Sequence, residues 1–325
     1  MCAVFGLLDF EGNLTASERL MIFKALGKAA ESRGTDATGV AYVQNGAIQI
    51  QKAPRPAHKM KWRISPDARY LMGHTRMTTQ GSEKKNYNNH PFFGKAGQMP
   101  FALAHNGVLF NDFALRRTLR LSKTNIETDS YVAVQLIEQS GSLSFKSLKQ
   151  MAESLDGSFT ITVLDDNNDL YLVKGNNPLS LYLFPNLGIY LYASTKEILD
   201  NTLDKLELSQ EPKAEIIVHQ GDILKIDSRG KRSLSRFDDT KLCMRDYCRY
   251  YGLVDWYWPT ASEQEEESDY LEEVVSYGMS RGVPERELRL LVDAGYDAFD
   301  LEELLFDPHL RQSCVQEILC GYGGC

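Results

Sequence analysis

Cysteine, long apolar runs and excess positive charge are all scarce in this sequence, and each shortage excludes a class of protein. Six cysteines lie at positions 2, 243, 248, 314, 320 and 325 of 325 residues, and no two form a C-x-x-C pair. Neither a disulfide scaffold nor a structural zinc site is expected, and the thiols are read as reduced. No stretch approaches the ~18 uncharged apolar residues that a membrane span requires. The N-terminal MCAVFGLLDFEG has no basic region and reaches Asp9 and Glu11 too early for a secretory signal, so the expected location is cytoplasmic, away from membranes. Phosphate-binding glycine motifs are missing as well: there is no G-x-x-x-x-G-K-[ST], and GYGGC at 321–325 has no helix after it to cradle a phosphate.

The net charge of −8 is unevenly divided. Residues 241–325 carry 7 Lys and Arg against 18 Asp and Glu, net −11, whereas residues 1–240 carry 29 against 26, net +3. A body without a basic stripe, followed by an acidic tail, is unsuited to neutralising phosphates, so no nucleic acid partner is expected. At 43% apolar and 25% charged residues the chain has globular composition, long enough for two domains.

Residues 1–227 read as short β-type runs: CAVFGLL, TGVAYVQ, YLMGHT, FALAHN, SFTITVLD, LYLVK, LSLYLF, IYLYAS and DILKI. Asn45-Gly46, between TGVAYVQ and AIQIQ, signals a two-residue hairpin. One helix is predicted to start near Thr15, where Thr15 and Glu18 can form a capping box, and to stop before Gly34. A second is predicted from Thr128 to before Gly141, burying Val132, Leu136 and Ile137. Many strands without strict βαβ alternation point to an α+β sandwich. Residues 228–262 form a connector with the aromatic YCRYYGLVDWYWP, and 263–325 open on EQEEES and continue as a small acidic helical domain. Its helices are expected near 269–281, 285–294 with Pro284 at the first turn, 300–306 with Asp300 and Glu303 as a capping box, and 309–319.

A cysteine in a strand is ordinarily a small hydrophobe. Cys2 differs by its place, because cysteine is small enough for Met1 to be removed during maturation. Its own α-amine, with an ordinary pKa of ~7.7–8.0, would then suit a general base. One residue can thus supply both nucleophile and base. Four further segments carry motifs: ESRGTDATGVAY (31–42), GHTRMTTQGS (73–82), ALAHNGVLFN (102–111) and IETDSYVAVQLIE (126–138). With the terminal cysteine, and in this order, they resemble the glutaminase domain of class II glutamine amidotransferases, which are N-terminal-nucleophile hydrolases. NNHPFF (89–94), LDGSFTITVLD (155–165), NPLSLY (177–182), YASTKEIL (192–199) and QGDILKI (220–226) extend the likeness over about 1–227.

The resemblance implies a four-layer αββα N-terminal-nucleophile hydrolase sandwich, followed here by a small α-helical C-terminal domain. It implies hydrolysis of the side-chain amide of L-glutamine through a Cys2 γ-glutamyl thioester, with no cofactor and no metal. Arg76 offers the planar fork that a substrate carboxylate needs and lysine lacks. Asp129 would accept the ammonium, and Asn106 with Gly107 would form the oxyanion hole. Arg33, Gly34 and Asp36 would support the terminal site, while Thr79 and Gly81 match a loop that closes over glutamine. Without the family, Asn106-Gly107 would read as a hairpin turn and Asp129 as a helix N-cap. His74, His90 and His105 have spacings that fit no ligand pattern, and structural hydrogen bonding is expected of them. Met77 and Tyr131 depart from the sugar-phosphate branch, where an aromatic and a glutamate are common.

Two other readings stay open. One is an N-terminal-nucleophile amidohydrolase or γ-glutamyl transferase with another substrate, and the other is a non-enzymatic docking or regulatory protein that keeps the shell. The chain beyond residue 227 is too short for an ammonia-consuming synthase. Ammonia is therefore expected to pass to a separate synthase, docked through the acidic annex and its aromatic patch of Tyr250, Tyr251, Trp256, Tyr257 and Trp258. If Cys2 is the mature N-terminus, intact-mass analysis will find the chain lighter by one methionine. A chain that retains Met1 yet hydrolyses glutamine at full rate would overturn the dual role of Cys2.

Overall fold

The computed structural model describes residues 2–242 and, from 271 to 322, all but 273, 295 and 297. The aromatic patch and EQEEES lie outside the described residues. In chain order the elements are β1 (Ala3–Asp9), α1 (Ala16–Ala30), β2 (Ala37–Gln44), β3 (Ala47–Ala53), β4 (Tyr70–Arg76), β5 (Phe92–Ala96), β6 (Met99–Leu109) and α2 (Asp112–Thr118). Next come α3 (Tyr131–Gln139), α4 (Phe145–Ser154), β7 (Gly157–Asp165), β8 (Leu170–Lys174), β9 (Ser180–Phe184), β10 (Ile189–Ala193), α5 (Lys196–Lys205), β11 (Ala214–Glu215), β12 (Asp222–Ile226) and β13 (Arg232–Arg236). They build a seven-stranded sheet in the order β11-β9-β10-β1-β4-β2-β3 and a six-stranded sheet in the order β13-β12-β8-β7-β6-β5.

Strand parity sorts the side chains into three cores. In β1, Ala3, Phe5 and Leu7 pack with Phe23 and Leu26 of α1 and with Ile198 and Leu199 of α5. Val4 and Leu8, on the opposite face, pack with Ala102 and Ala104 of β6 and Leu172 of β8. β6 repeats the division, sending Phe101 and Leu103 toward Val132 and Ile137 of α3 and Leu148 of α4. The layers are thus α1 and α5, first sheet, second sheet, then α3 and α4, an αββα sandwich. Strands buried on both faces read as unbroken apolar runs, which is why AVFGLLD and FALA lack polar alternation.

Local signals account for most boundaries. The Thr15–Glu18 capping box is formed, with Thr15 Oγ1 accepting the Glu18 N–H at 3.2 Å and Glu18 Oε2 accepting the Thr15 N–H at 2.7 Å. Asn45 and Gly46 take φ of 51° and 71° between β2 and β3, as a two-residue hairpin requires. α3 starts at Tyr131, three residues later than predicted, because Thr128–Ser130 forms a turn instead. β13 has no signal in the sequence: its residues RSLSR are mostly exposed and carry no apolar face, yet they pair with β12. The second sheet therefore runs past residue 227, and the first compact unit extends to Met244.

The second unit spans Arg245–Cys325. Residues 274–280 are helical, followed by α6 (Glu285–Asp293), α7 (Ala298–Phe306) and α8 (Pro308–Tyr322). Val274, Val275, Leu288, Leu291, Leu301 and Leu304 are buried. Asp300 lies within the first turn of α7, not at its cap, since the helix begins at Ala298. α8 begins at Pro308, ahead of the expected 309, because Asp307 Oδ1 accepts the N–H groups of His309 and Leu310 at 3.1 and 3.0 Å. Among the described residues no helix is long and apolar enough to cross a membrane.

Phe23 joins α1 to the first sheet, with ring centroids 5.2 Å from both Phe5 and Trp62. Phe23→Ala should cost ~3–5 kcal/mol of stability in urea unfolding. A loss below ~1 kcal/mol would mean that the α1 layer contributes little to the sandwich.

Candidate active site

Three strand ends of the first sheet converge on Cys2. β1 pairs with β4 with Ala3 opposite Thr75, so Cys2, one residue before β1, stands across from Arg76 at the end of β4. β2 pairs on the other side of β4, with Ala37 opposite Arg76, and brings the Arg33–Asp36 turn to the same edge. Arg33 Nε donates to the Cys2 carbonyl at 2.9 Å. The Asp36 N–H donates to the Arg76 carbonyl at 3.0 Å, and Asp36 Oδ2 accepts the Thr78 N–H at 2.7 Å. A Cβ on Gly34 would stand 2.5 Å from the Arg76 carbonyl carbon, so only glycine passes here. The Cys2 thiol donates to the Met77 carbonyl at 3.4 Å. Burial raises its pKa, while a backbone hydrogen bond at Met77 and the Arg76 charge pull the other way. At neutral pH Cys2 is therefore a thiol, and only loss of its proton would make it a nucleophile.

On the second sheet Asn106 and Gly107 lie inside β6, paired with Thr160 and Phe159 of β7. They form no hairpin turn. Gly107 has φ of 147°, and a Cβ there would fall 1.8 Å from the Ser158 carbonyl oxygen, so this crossing also excludes every other residue. Asn106 is 1% exposed, and neither atom of its side-chain amide has a hydrogen-bond partner. His74 Nε2 sits 3.0 Å from the His105 carbonyl, tying β4 to β6 one residue before Asn106.

Asp129 is not the N-cap of α3, a place held by Ser130. Its Oδ2 accepts the Leu109 N–H at 2.7 Å and its Oδ1 accepts the Ser130 hydroxyl at 3.1 Å, while its own N–H donates to Gln80 Oε1. Ser130 Oγ shares a further hydrogen bond with His105 Nδ1 at 2.8 Å. Arg76, 2% exposed, donates through Nη1 to Asn89 Oδ1 at 2.6 Å and through Nη2 to the carbonyls of Gly81, at 3.0 Å, and Gln80. A guanidinium has five N–H donors, and these contacts use three. Arg76 thus grips the loop of residues 77–85, which carries Thr79, partly buried, and Gly81. Asn89 Nδ2 donates to the Glu83 carbonyl at 2.8 Å and steadies the same loop.

The structure thus joins Cys2, Arg33, Asp36, Arg76 and Asp129 through short links, with Gln80 bridging the last two. The sequence alone assigns no role to Gln80, Asn89 or Ser130. All three stand within motif segments, GHTRMTTQGS, NNHPFF and IETDSYVAVQLIE, but the bond from Gln80 to Asp129 depends on a fold contact that nothing local announces. His74 and His105 make the expected hydrogen bonds, but His90 does not. Its buried ring nitrogens have no hydrogen-bond partner, and its ring lies tilted between His74 and Phe92 at centroid distances of 4.2 and 4.3 Å. Burial lowers the His74 pKa to about 3 and that of His90 well below its ordinary value, so both rings are neutral. Among the described residues no group of three or more His, Cys, Asp or Glu could hold a metal ion.

The first unit is thus a two-sheet αββα sandwich with Cys2 at the head of a central strand of one sheet and the buried, unpartnered Asn106 amide inside a strand of the other. Residues 74–201 match the glutamine amidotransferase domain family. The glutamine–fructose-6-phosphate aminotransferase (isomerizing) of Sulfurisphaera tokodaii is 31% identical over 192 residues, covering 56% of this chain and 32% of that protein. The 7-cyano-7-deazaguanine synthase of Saccharolobus solfataricus is 26% identical over 210 residues, covering 62% and 44%. Among solved structures, the glutamine phosphoribosylpyrophosphate amidotransferase of B. subtilis superposes with a TM-score of 0.57 at 20% identity, covering 73% of this chain and 49% of that one. The chain is thus similar over residues 74–201 to a glutamine amidotransferase domain, and it shares its two-sheet fold with a solved amidotransferase. It spans about a third of the length of the first curated relatives it matches.

Behind Asp129 lies a second acid. Asp112, 2% exposed at the start of α2, has its Oδ2 3.4 Å from Arg116 Nη2. Burial raises its pKa to about 7, with the Arg116 charge opposing and the Asp129 charge adding. An unfolded aspartate titrates near ~3.9. Between that value and about 7 the folded chain holds a proton that the unfolded chain has released, so this group makes stability fall as pH rises through the window. Asp112→Asn should remove that loss, raising Tm relative to the native chain at pH 8 more than at pH 4. Equal Tm differences at both pH values would refute the assignment.

Proposed function

We propose that the domain hydrolyses the side-chain amide of L-glutamine and that Cys2, freed of Met1, is its nucleophile. The observation that carries this reading is the Asn106 amide, buried and unpartnered beside a glycine whose backbone admits no side chain. An amide left in that state costs ~1–3 kcal/mol, and a developing oxyanion would supply the missing acceptor. In the first step the α-amine of Cys2 takes the thiol proton and sulfur attacks the amide carbon. The oxyanion that forms is met by Asn106 Nδ2 and the Gly107 N–H. The carbon–nitrogen bond then breaks as the ammonium of Cys2 returns its proton to the departing nitrogen, and water adds to the γ-glutamyl thioester, whose carbon–sulfur bond breaks to release glutamate and restore the Cys2 thiol.

Arg76 is assigned to the substrate carboxylate and Asp129 to the ammonium. Both are buried and fixed by the 77–85 loop, so a ligand that replaces or joins the loop carbonyls on Arg76 would be felt by Thr79 and Gly81. Arg33 and Asp36 act by holding Cys2 and the start of that loop. Ammonia is taken to pass to an acceptor on a separate synthase, with the acidic C-terminal unit as the docking element. Net charge of −11 over residues 241–325 favours a basic partner surface and salt-sensitive association.

The test is glutamate release from glutamine by the intact chain. Cys2→Ala should abolish it while leaving the unfolding transition unchanged. Arg76→Lys, which keeps charge but loses the fork, should raise KM by ~10-fold or more. Equal rates with glutamine and with a simple primary amide that lacks the amino acid headgroup would sink the assignments of Arg76 and Asp129.

A further inference from the structure

The segment after β8 reaches back to the proposed oxyanion hole. β7 and β8 stop pairing at Thr160 and Lys174, and two asparagines continue where the ladder ends. Asn176 Oδ1 accepts the Phe159 N–H at 3.1 Å, the Asn177 N–H donates to the Phe159 carbonyl at 3.4 Å, and Thr160 Oγ1 donates to the Asn177 carbonyl at 2.8 Å. The backbone of Asn177 is thus fixed against β7 from both sides. Its side chain crosses to β6, where Nδ2 donates to the Asn106 carbonyl oxygen at 2.8 Å and lies 3.5 Å from Ser158 Oγ.

That carbonyl belongs to the same peptide unit as the Gly107 N–H. In a trans peptide the two groups point in opposite directions, so gripping the oxygen sets the direction of the N–H. Gly107 has no Cβ to lock its own backbone, and its φ of 147° is one that glycine alone holds readily. The side chain that grips this peptide comes from a different strand connection, 71 residues away.

We propose that Asn177 is a positioning residue that aims the Gly107 N–H at the oxyanion by holding the Asn106 carbonyl. This rests on the glutamine-hydrolysis reading and adds a residue to it. Asn177 touches neither substrate nor sulfur. Its effect falls on the transition state, where the oxyanion exists, and leaves the binding of the glutamine headgroup to Arg76 and Asp129.

Asn177→Asp keeps the shape and replaces the donor NH2 by an acceptor, while Asn177→Ala removes the contact altogether. In both, kcat for glutamate release should fall ~10- to 100-fold, a fraction of what deleting an oxyanion donor costs, with KM within ~3-fold of the native value. A kcat within twofold of native in both variants, or a rise in KM equal to the fall in kcat, would overturn the proposal while leaving glutamine hydrolysis intact. The Gly107 amide resonance provides a readout that needs no turnover. It should move by more than a linewidth in Asn177→Asp while the amides of α1 stay in place, and an unmoved resonance counts against the proposal. If the native chain releases no glutamate at all, the hydrolysis reading fails and the resonance alone decides whether Asn177 orients this peptide.

Discussion

The register of β1 decides where the cysteine stands. β1 is hydrogen-bonded on both edges, with Phe5 opposite Ala193 of β10 and opposite Gly73 of β4. A slip of one residue would drive Phe5 and Leu7 from the helix-facing core into the gap between the sheets. Close approaches make that slip costlier still, since a Cβ on Gly73 would lie 2.3 Å from the Phe5 ring and one on Gly6 would lie 2.3 Å from Tyr192. Cys2 takes its place chiefly from the strand that follows it, with its carbonyl held by Arg33 Nε at 2.9 Å. Residues 3–8 place it, and the pairing of β4 with β1 and β2 then brings Arg76, Arg33 and Asp36 to it.

The polar groups around Cys2 show two kinds of environment. Arg76, Asp129 and Asn89 are each engaged by several chain partners, as buried charge and buried amides must be to avoid a large desolvation cost. Asn106 is buried without any. An amide with neither of its atoms paired carries a residual cost, and the well-packed cores on either side of the sheets hold it in place. The same division explains why the sandwich tolerates a glycine at 107: the sheet is kept in register by its apolar faces, and the peptide at its site end is left to be oriented by side chains.

Much of the fold was legible because strands buried on both faces appear as apolar runs and because Thr15, Asn45 and Gly46 carry their own geometry. Elements without those signals were not. β13 has an exposed polar sequence and exists through its pairing with β12, and the late start of α3 follows from the tertiary bonds that draw Asp129 away from a cap position to Leu109 and Gln80. For the candidate site, the order of motifs singles out Cys2, Arg76, Asn106 and Asp129. It gives no hint that Arg76 is engaged by the carbonyls of its own loop or that His90 lies between two rings without hydrogen bonds. Asn106-Gly107 is the sharpest case, because the dipeptide that usually turns a hairpin here runs straight through a strand, with the Ser158 carbonyl occupying the space a side chain would need.

Proton accounting ties the proposed chemistry to the first two residues. Burial keeps Cys2 in its thiol form, so the pairing of a neutral thiol with a neutral amine is the competent state, and the nearby Arg76 charge favours both the thiolate and the unprotonated amine. An amine with an ordinary pKa of ~7.7–8.0 beside such a cation is partly neutral at physiological pH without any further general base. With Met1 attached, the same nitrogen is a peptide amide whose lone pair is delocalised, and it can accept no proton. Neither His74 nor His90 can substitute, since one is directed to the His105 carbonyl and the other is closed between aromatic rings. On this mechanism the chain that still bears Met1 has every element of the site in register and remains inert, and removal of one residue converts a correctly folded strand end into a nucleophile.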